Sequence, residues 1–214
     1  MRIFRKAEVR YVSLRKRGFG TAMEDSLLNL SDSEALAAEI ARLRDEVARL
    51  QGRVDQLDQM AHQDVLIGLP NRRGFMRQLG QLIARINRYD DLAAMLFIDV
   101  DGLKLINDSC GHQAGDEALM FVAELLVRGV RSSDYVARIG GDEFGILLEH
   151  ADESVAAETA SRLVSQIAGC EFCYEGSCLP LSVAIGFSLI TKGDSSEEVI
   201  QRADLAMYAE KAAA

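Results

Sequence analysis

Arg138-Ile139-Gly140-Gly141-Asp142-Glu143-Phe144-Gly145-Ile146-Leu147-Leu148 joins two apolar runs, Tyr135 to Ile139 and Phe144 to Leu148, through two glycines and two carboxylates. Paired glycines between apolar runs signal a hairpin, since glycine accepts the positive φ of a tight primed turn. Asp142 and Glu143 are adjacent acids on that tip, and their charges repel unless a cation or solvent relieves them. The stretch therefore reads either as a plain turn or as one wall of a cation site.

Upstream, Ala93-Ala-Met-Leu-Phe-Ile98 has the composition of a buried strand and runs into Asp99-Val-Asp101. Acids at the end of a buried strand are costly unless they face a ligand or cation. Lys104, Asn107, Asp108, Gly111-His112 and Gly115-Asp116 follow, and they read as a polar, glycine-bearing loop between strand and helix, a common place to bind phosphate or nucleotide. Helices are expected over 71–89, about 113–128, 153–168 and 196–211. Strands are expected over 171–175 and 179–190, joined by a turn at Gly176-Ser177. Alternating helices and strands with hairpins give an α/β sandwich around a mixed sheet.

Before this body, residues 33–62 carry a heptad repeat. Ile40, Val47, Val54 and Ala61 occupy a, and Leu36, Leu43, Leu50 and Leu57 occupy d. β-Branched residues at a with leucine at d favour a parallel two-stranded coiled coil, and an unbroken 3.5-residue period separates this from an ordinary amphipathic helix. Glu39 at g would face Arg44 at e of a partner, and Arg53 would face Asp58. Gly68 and Pro70 end the coil, and Asn71 can cap the next helix. Three segments result: a basic head over 1–30, a coiled coil over 31–62 and a catalytic-sized domain over 63–214.

The net charge of −9 is uneven: residues 1–20 hold seven Lys/Arg against Glu8 alone, leaving −15 on the rest. An acidic body argues against nucleic acid as the main partner. The basic head reads as a solvated, frayed terminus or as a contact for an anionic membrane surface or an acidic protein. With no apolar run of membrane-spanning length and no signal-peptide pattern, the chain reads as cytoplasmic. Cys110, Cys170, Cys173 and Cys178 then read as plain thiols; Cys170-x-x-Cys173 with Cys178 lacks the second pair of a tetrahedral zinc set.

Taken together, Ile98-Asp99-Val-Asp-Gly-Leu-Lys104-Leu-Ile-Asn107-Asp108, Gly111-His112-x-x-Gly115-Asp116 and Gly140-Gly-Asp-Glu-Phe144 closely resemble the GGDEF family of diguanylate cyclases. Asp64-x-Leu-x-Gly-Leu-Pro-Asn-Arg-Arg73 and Ala203-Asp204-x-Ala-Met-Tyr208-x-x-Lys211 are similar to that family's opening and closing motifs. The resemblance implies a five-stranded, mostly antiparallel sheet flanked by helices, like the palm of nucleotidyl cyclases and polymerases. It implies condensation of two GTP into cyclic di-GMP with release of two pyrophosphates, by a homodimer holding one GTP per domain.

Residue by residue, the match implies that Asp99, the Val100 carbonyl and Asp142 hold Mg²⁺ (or Mn²⁺), with two metals per site. Glu143 would serve the second metal or help deprotonate the attacking hydroxyl. Asn107 and Asp116 would read guanine, and Lys104 and Lys211 would hold phosphates. Leu103, His112, Gly140 and Gly141 would line the substrate. Arg131-Ser-Ser-Asp134, with Arg138 following, matches the family's inhibitory R-x-x-D site for product. Ile67 and Leu103 replace the commoner threonine and phenylalanine while keeping bulk, and the usual Gly-Arg-Asn does not follow Lys211. Two other readings compete: a catalytically silent GTP or cyclic di-GMP receptor signalling through its coil, and a dimeric scaffold. Intact Asp99, Asp142, Glu143, Lys104 and Asn107 speak against the first, and the strand-end acids are left unexplained by the second.

Overall fold

The computed structural model describes residues 36–54, 61–89 and 91–213. The basic head, and Leu57 and Asp58 of the heptad, lie outside them. The chain divides into two units, Met1–Leu57 and Asp58–Ala214.

In the first unit, residues 36–54 form helix α1. Glu39 pairs with Arg42 at 2.8 Å and Glu46 with Arg49 at 2.6 Å, one turn apart on the same chain. Leu36, Ile40, Leu43, Val47, Leu50 and Val54 are all between 43% and 62% exposed, so this stretch of the heptad stripe lies open to solvent. Burying such side chains fully is worth about 1.5–3 kcal/mol each.

The second unit is built on β1 (Ala93–Asp101), at the centre of a four-stranded antiparallel sheet. Its neighbours are β3 (Glu143–Glu149) and β6 (Ser182–Ile190), with β2 (Tyr135–Arg138) outside β3. Strand alternation decides what each residue of β1 meets. Ala94, Leu96, Ile98 and Val100 pack on the face covered by α3 (Leu103–Cys110), α4 (His112–Arg128) and α5 (Glu153–Ala168). Ala93, Met95 and Phe97 pack on the opposite face, against α2 (Arg72–Tyr89) and α6 (Ser196–Ala213). Asp99 and Asp101 share the parity of this second set.

The helices start where the chain supplies caps. The Asn71 carboxamide oxygen accepts from the amides of Arg73 and Gly74 at 2.9 and 3.1 Å. Asp152 does the same for Val155 at 2.9 Å. Each offsets an unpaired amide of a first helical turn.

The sandwich of helices on an antiparallel sheet is the expected class, with three local differences. First, the sheet has four strands, and β4 (Phe172–Tyr174) and β5 (Ser177–Leu179) form a separate two-stranded ribbon. Pro180, which has no N–H for a ladder, divides what read as one strand over 179–190. Second, the expected polar loop before Gln113 is mostly helical. Gly102 (φ 72°) and Gly111 (φ 86°) take the left-handed positions that punctuate α3 and α4, and only Ile106 of α3 is buried. Third, Cys173 and Cys178 are directly opposed across the ribbon and form a disulfide, while Cys110 and Cys170 stay free. Among the described residues no helix is long and apolar enough to cross a membrane.

Candidate active site

The register of the central strands places the acids. Asp99 of β1 stands opposite Glu143 of β3, both on the α2/α6 face. The tip between β2 and β3 is tied back to β1, because the Val100 amide donates to the Asp142 carbonyl at 3.0 Å. Val100 itself turns its side chain into the opposite core, where it is 2% exposed.

The glycines of the tip serve a purpose other than the expected one. Neither Gly140 nor Gly141 has a positive φ. A Cβ on Gly140 would lie 2.1 Å from the Glu143 carboxylate, which folds back over it, whereas a Cβ on Gly141 would meet nothing. A side chain at position 140 would thus displace the Glu143 carboxylate, while turn handedness does not call for glycine at either position.

Arg138 also departs from expectation. Its guanidinium donates to the Gly141 carbonyl at 2.6 Å and to Asp64 at 3.2 Å, and its amide donates to the Pro70 carbonyl. Asp64 in turn accepts from the amides of Leu66 and Ile67, both at 3.0 Å. The Asp64–Arg73 motif is thus a clasp on the acidic tip, and Arg138 belongs to that clasp rather than beside Arg131 and Asp134.

The charges at this end are poorly balanced. Burial raises the Glu143 pKa, the nearby Asp142 and Asp99 carboxylates raise it further with a smaller push from Asp204, and Arg72 opposes them. Lys211 of α6 lies 2.5 Å from Asp99 and 3.2 Å from Asp101. Burial alone would lower Lys211, but hydrogen bonds to the two aspartates outweigh it and raise its pKa. Asp101 also accepts from the Ser182 hydroxyl at 3.0 Å. Asp101 was legible as the second strand-end acid but carried no assigned role, and Arg72 and Asp204 were not singled out from the sequence.

A carboxyl raised in the folded state favours folding at low pH, and that contribution is lost as pH rises through the raised value. We therefore expect Glu143→Gln to raise the melting temperature by a few degrees at neutral pH in chelator. The gain should vanish once the pH falls below the ordinary glutamate range. Thermal melts of both proteins across that window check this, and an equal gain at every pH would contradict it.

The remaining expected substrate residues sit on α3 and α4. Asn107 packs its carboxamide against Gly115, where a Cβ would lie 2.1 Å from its oxygen. This brings Asn107 beside the residue that precedes Asp116. Lys104, His112 and Asp116 are exposed and Leu103 is half-buried at the start of α3. Arg131 and Asp134 line a separate cavity of about 360 Å³ with Arg128, Glu158 and Arg162. Asp134 is held there by the amides of Arg131 (2.9 Å) and Glu149 (3.3 Å), and Arg162, missed in the sequence, donates to the Gly129 carbonyl at 2.6 Å.

Asp99, Asp142 and Glu143 offer only oxygen, the donor type that a hard divalent cation takes, and their mutual repulsion is what a cation relieves. The set fits Mg²⁺ or Mn²⁺ in charge and donor type. Among the described residues, the one group of three ligand atoms within 4.8 Å of each other is Glu171, Cys173 and Cys178, whose sulfurs are bonded to each other.

A family model described as "Diguanylate cyclase, GGDEF domain" matches residues 61–214. The chain is 40% identical over 157 residues to the probable diguanylate cyclase DgcE of Escherichia coli K12, covering 73% of this chain and 14% of that protein. It is 34% identical over 211 residues to the diguanylate cyclase TpbB of Pseudomonas aeruginosa PAO1, covering 96% of this chain and 48% of that one. The chain thus spans less than half the length of these curated relatives. Among solved structures it is similar to the coiled coil and GGDEF domain of DgcB from Caulobacter crescentus in complex with c-di-GMP. The TM-score is 0.77 at 29% identity, covering 83% of this chain and 95% of that one.

Proposed function

The chain belongs to the diguanylate cyclase GGDEF-domain family, and from that premise we propose that it condenses two GTP into cyclic di-GMP and two pyrophosphates. Each 3′-hydroxyl attacks the α-phosphorus of the other nucleotide, and the bond to the β-phosphate oxygen breaks. The observation that carries this reading is the register pair Asp99–Glu143 with Asp142 tied to Val100 beside it. Acids crowded on a rigid strand end, countered only in part by Lys211, suit the metal clamp of in-line phosphoryl transfer.

Asp99, the Val100 carbonyl, Asp142 and Glu143 would hold divalent metal, Mg²⁺ or Mn²⁺, two ions per site. The metal would neutralise charge on the triphosphate and polarise the reacting oxygens. Glu143, kept proton-hungry by burial and by its acidic neighbours, would serve the second metal or help take the proton of the 3′-hydroxyl. Asn107 and Asp116 select guanine by pairing its O6 and its N1/N2 hydrogens. Leu103, His112 and the Gly140–Gly141 backbone border the base and phosphates, and Lys104 and Lys211 hold the phosphates.

Each domain takes one GTP, so two domains must face one another. The uncovered stripe of α1 supports a parallel coiled-coil homodimer, which raises the effective concentration of the second domain. A fluorescent GTP analogue with Mg²⁺ should be displaced by GTP and not by ATP, and Asn107→Ala should weaken GTP by roughly a hundredfold, since an unpaired polar edge is heavily penalised. Equal displacement by both nucleotides would refute the substrate assignment.

The cavity holding Arg131 and Asp134 supports product inhibition, because guanidinium forks suit phosphate and guanine edges alike. In Arg131→Ala the time course should no longer arrest early, and the inhibition constant for added cyclic di-GMP should rise at least about tenfold. An unchanged arrest would remove the cavity from the account.

A further inference from the structure

Lys211 is expected to hold phosphate, yet its ammonium bridges two carboxylates at the acidic end of β1, at 2.5 Å from Asp99 and 3.2 Å from Asp101. Both aspartates pair with this one side chain. The Asp99 and Lys211 side chains are 19% and 32% exposed, so the contact is partly withdrawn from water. Its base is rigid: α6 lies directly on β6, with the Met207 amide 2.0 Å from where a Cβ on Gly186 would be. The four-carbon stem of lysine nevertheless lets the ammonium leave without moving the helix.

We propose that Lys211 is a place-holder for the divalent cation. Without metal, its ammonium supplies the positive charge that Asp99 and Asp101 need. When metal-bound nucleotide arrives, the carboxylate of Asp99 passes to the metal and the ammonium turns to the incoming phosphates. This rests on the cyclase reading of the same site. Free metal must then compete with a tethered cation, so metal alone binds weakly. Nucleotide relieves that competition by giving Lys211 another anion. Metal and nucleotide therefore strengthen each other's binding by the same factor, as linkage requires.

The test is binding of Mn²⁺ to the full chain without nucleotide, followed by electron paramagnetic resonance, and repeated at saturating GTP in Ca²⁺-free buffer on ice. Lys211→Met and Lys211→Gln should each bind free Mn²⁺ roughly tenfold more tightly than the parent chain, while Lys211→Arg, which keeps the charge, stays close to it. Arg88→Gln, which removes a positive charge elsewhere, should not tighten binding. The strengthening of Mn²⁺ binding by GTP should shrink in Lys211→Met. The metal-free melting temperature of Lys211→Met should fall and recover on adding Mn²⁺, which also establishes that the variant folds. Unchanged or weaker Mn²⁺ affinity in folded Lys211→Met and Lys211→Gln would overturn the place-holder and leave the cyclase reading intact. If Asp99→Asn bound Mn²⁺ as well as the parent chain, the metal assignment would fall, and the cyclase reading with it.

Discussion

Asp99→Asn should reduce cyclic di-GMP formation on the order of a thousandfold, the scale on which removal of one preorganised electrostatic element slows a reaction. Asn keeps the shape and the strand, so β1 retains its register with Glu143 and with Ala184 on the other side. What is lost is the negative charge that would hold metal on the triphosphate. The same substitution frees Lys211 from its 2.5 Å partner and leaves it with Asp101 alone. The melting temperature should fall only slightly, since the pair that is lost is partly exposed and Lys211 keeps Asp101. Steady-state rates at saturating Mg²⁺, alongside thermal melts, separate the two effects. A variant retaining more than about a tenth of the parent rate would contradict the assignment.

The largest stability effect is expected at Gly186. A single added methyl would lie 2.0 Å from the Met207 amide nitrogen, 2.4 Å from the Ala203 carbonyl oxygen and 2.6 Å from the Ala206 carbonyl carbon. All three are helix backbone and cannot step aside as a flexible side chain would. Gly186 also pairs with Phe97 at the centre of β1, so the strand cannot retreat without breaking its own ladder. Gly186→Ala should therefore destabilise the domain by about 3 kcal/mol, the upper range for overpacking. That corresponds to a melting temperature roughly 6–12 °C lower. Gly141→Ala is the contrast: it meets no atom within 4 Å and has no positive φ, so its melt should match the parent. Equal melts for Gly186→Ala and the parent would mean that α6 is not seated on β6 as described.

These two glycines also show where sequence reading stops. Gly186 sits inside a strand-like run, and nothing nearby reveals that a helix twenty residues later lies on it. The pair at 140–141 was legible as a tip, but the Glu143 carboxylate folding back over Gly140 was not, since only the hairpin brings it there. Local signals read well. Asn71 after Pro70 marks a cap, β1 is a continuous apolar run, and two acids follow it.

Contacts between distant segments were not legible. Arg138 read as a neighbour of Arg131, yet it is drawn to Asp64, 74 positions away. Lys211 read as a phosphate ligand, and its pairing with Asp99 across 112 positions follows from the seat of α6. The disulfide depended on the ribbon register that sets Cys173 opposite Cys178. Short α3 was hidden because it buries only Ile106 and so lacks an apolar stripe.

The most direct test of the central claim is to incubate the purified chain with GTP and Mg²⁺ and identify the products by mass. The account predicts cyclic di-GMP and pyrophosphate in a ratio of one to two, formed by the parent chain and absent with Asp142→Ala. GTP recovered intact, or converted only to GDP, by a protein shown to be folded and dimeric would contradict it.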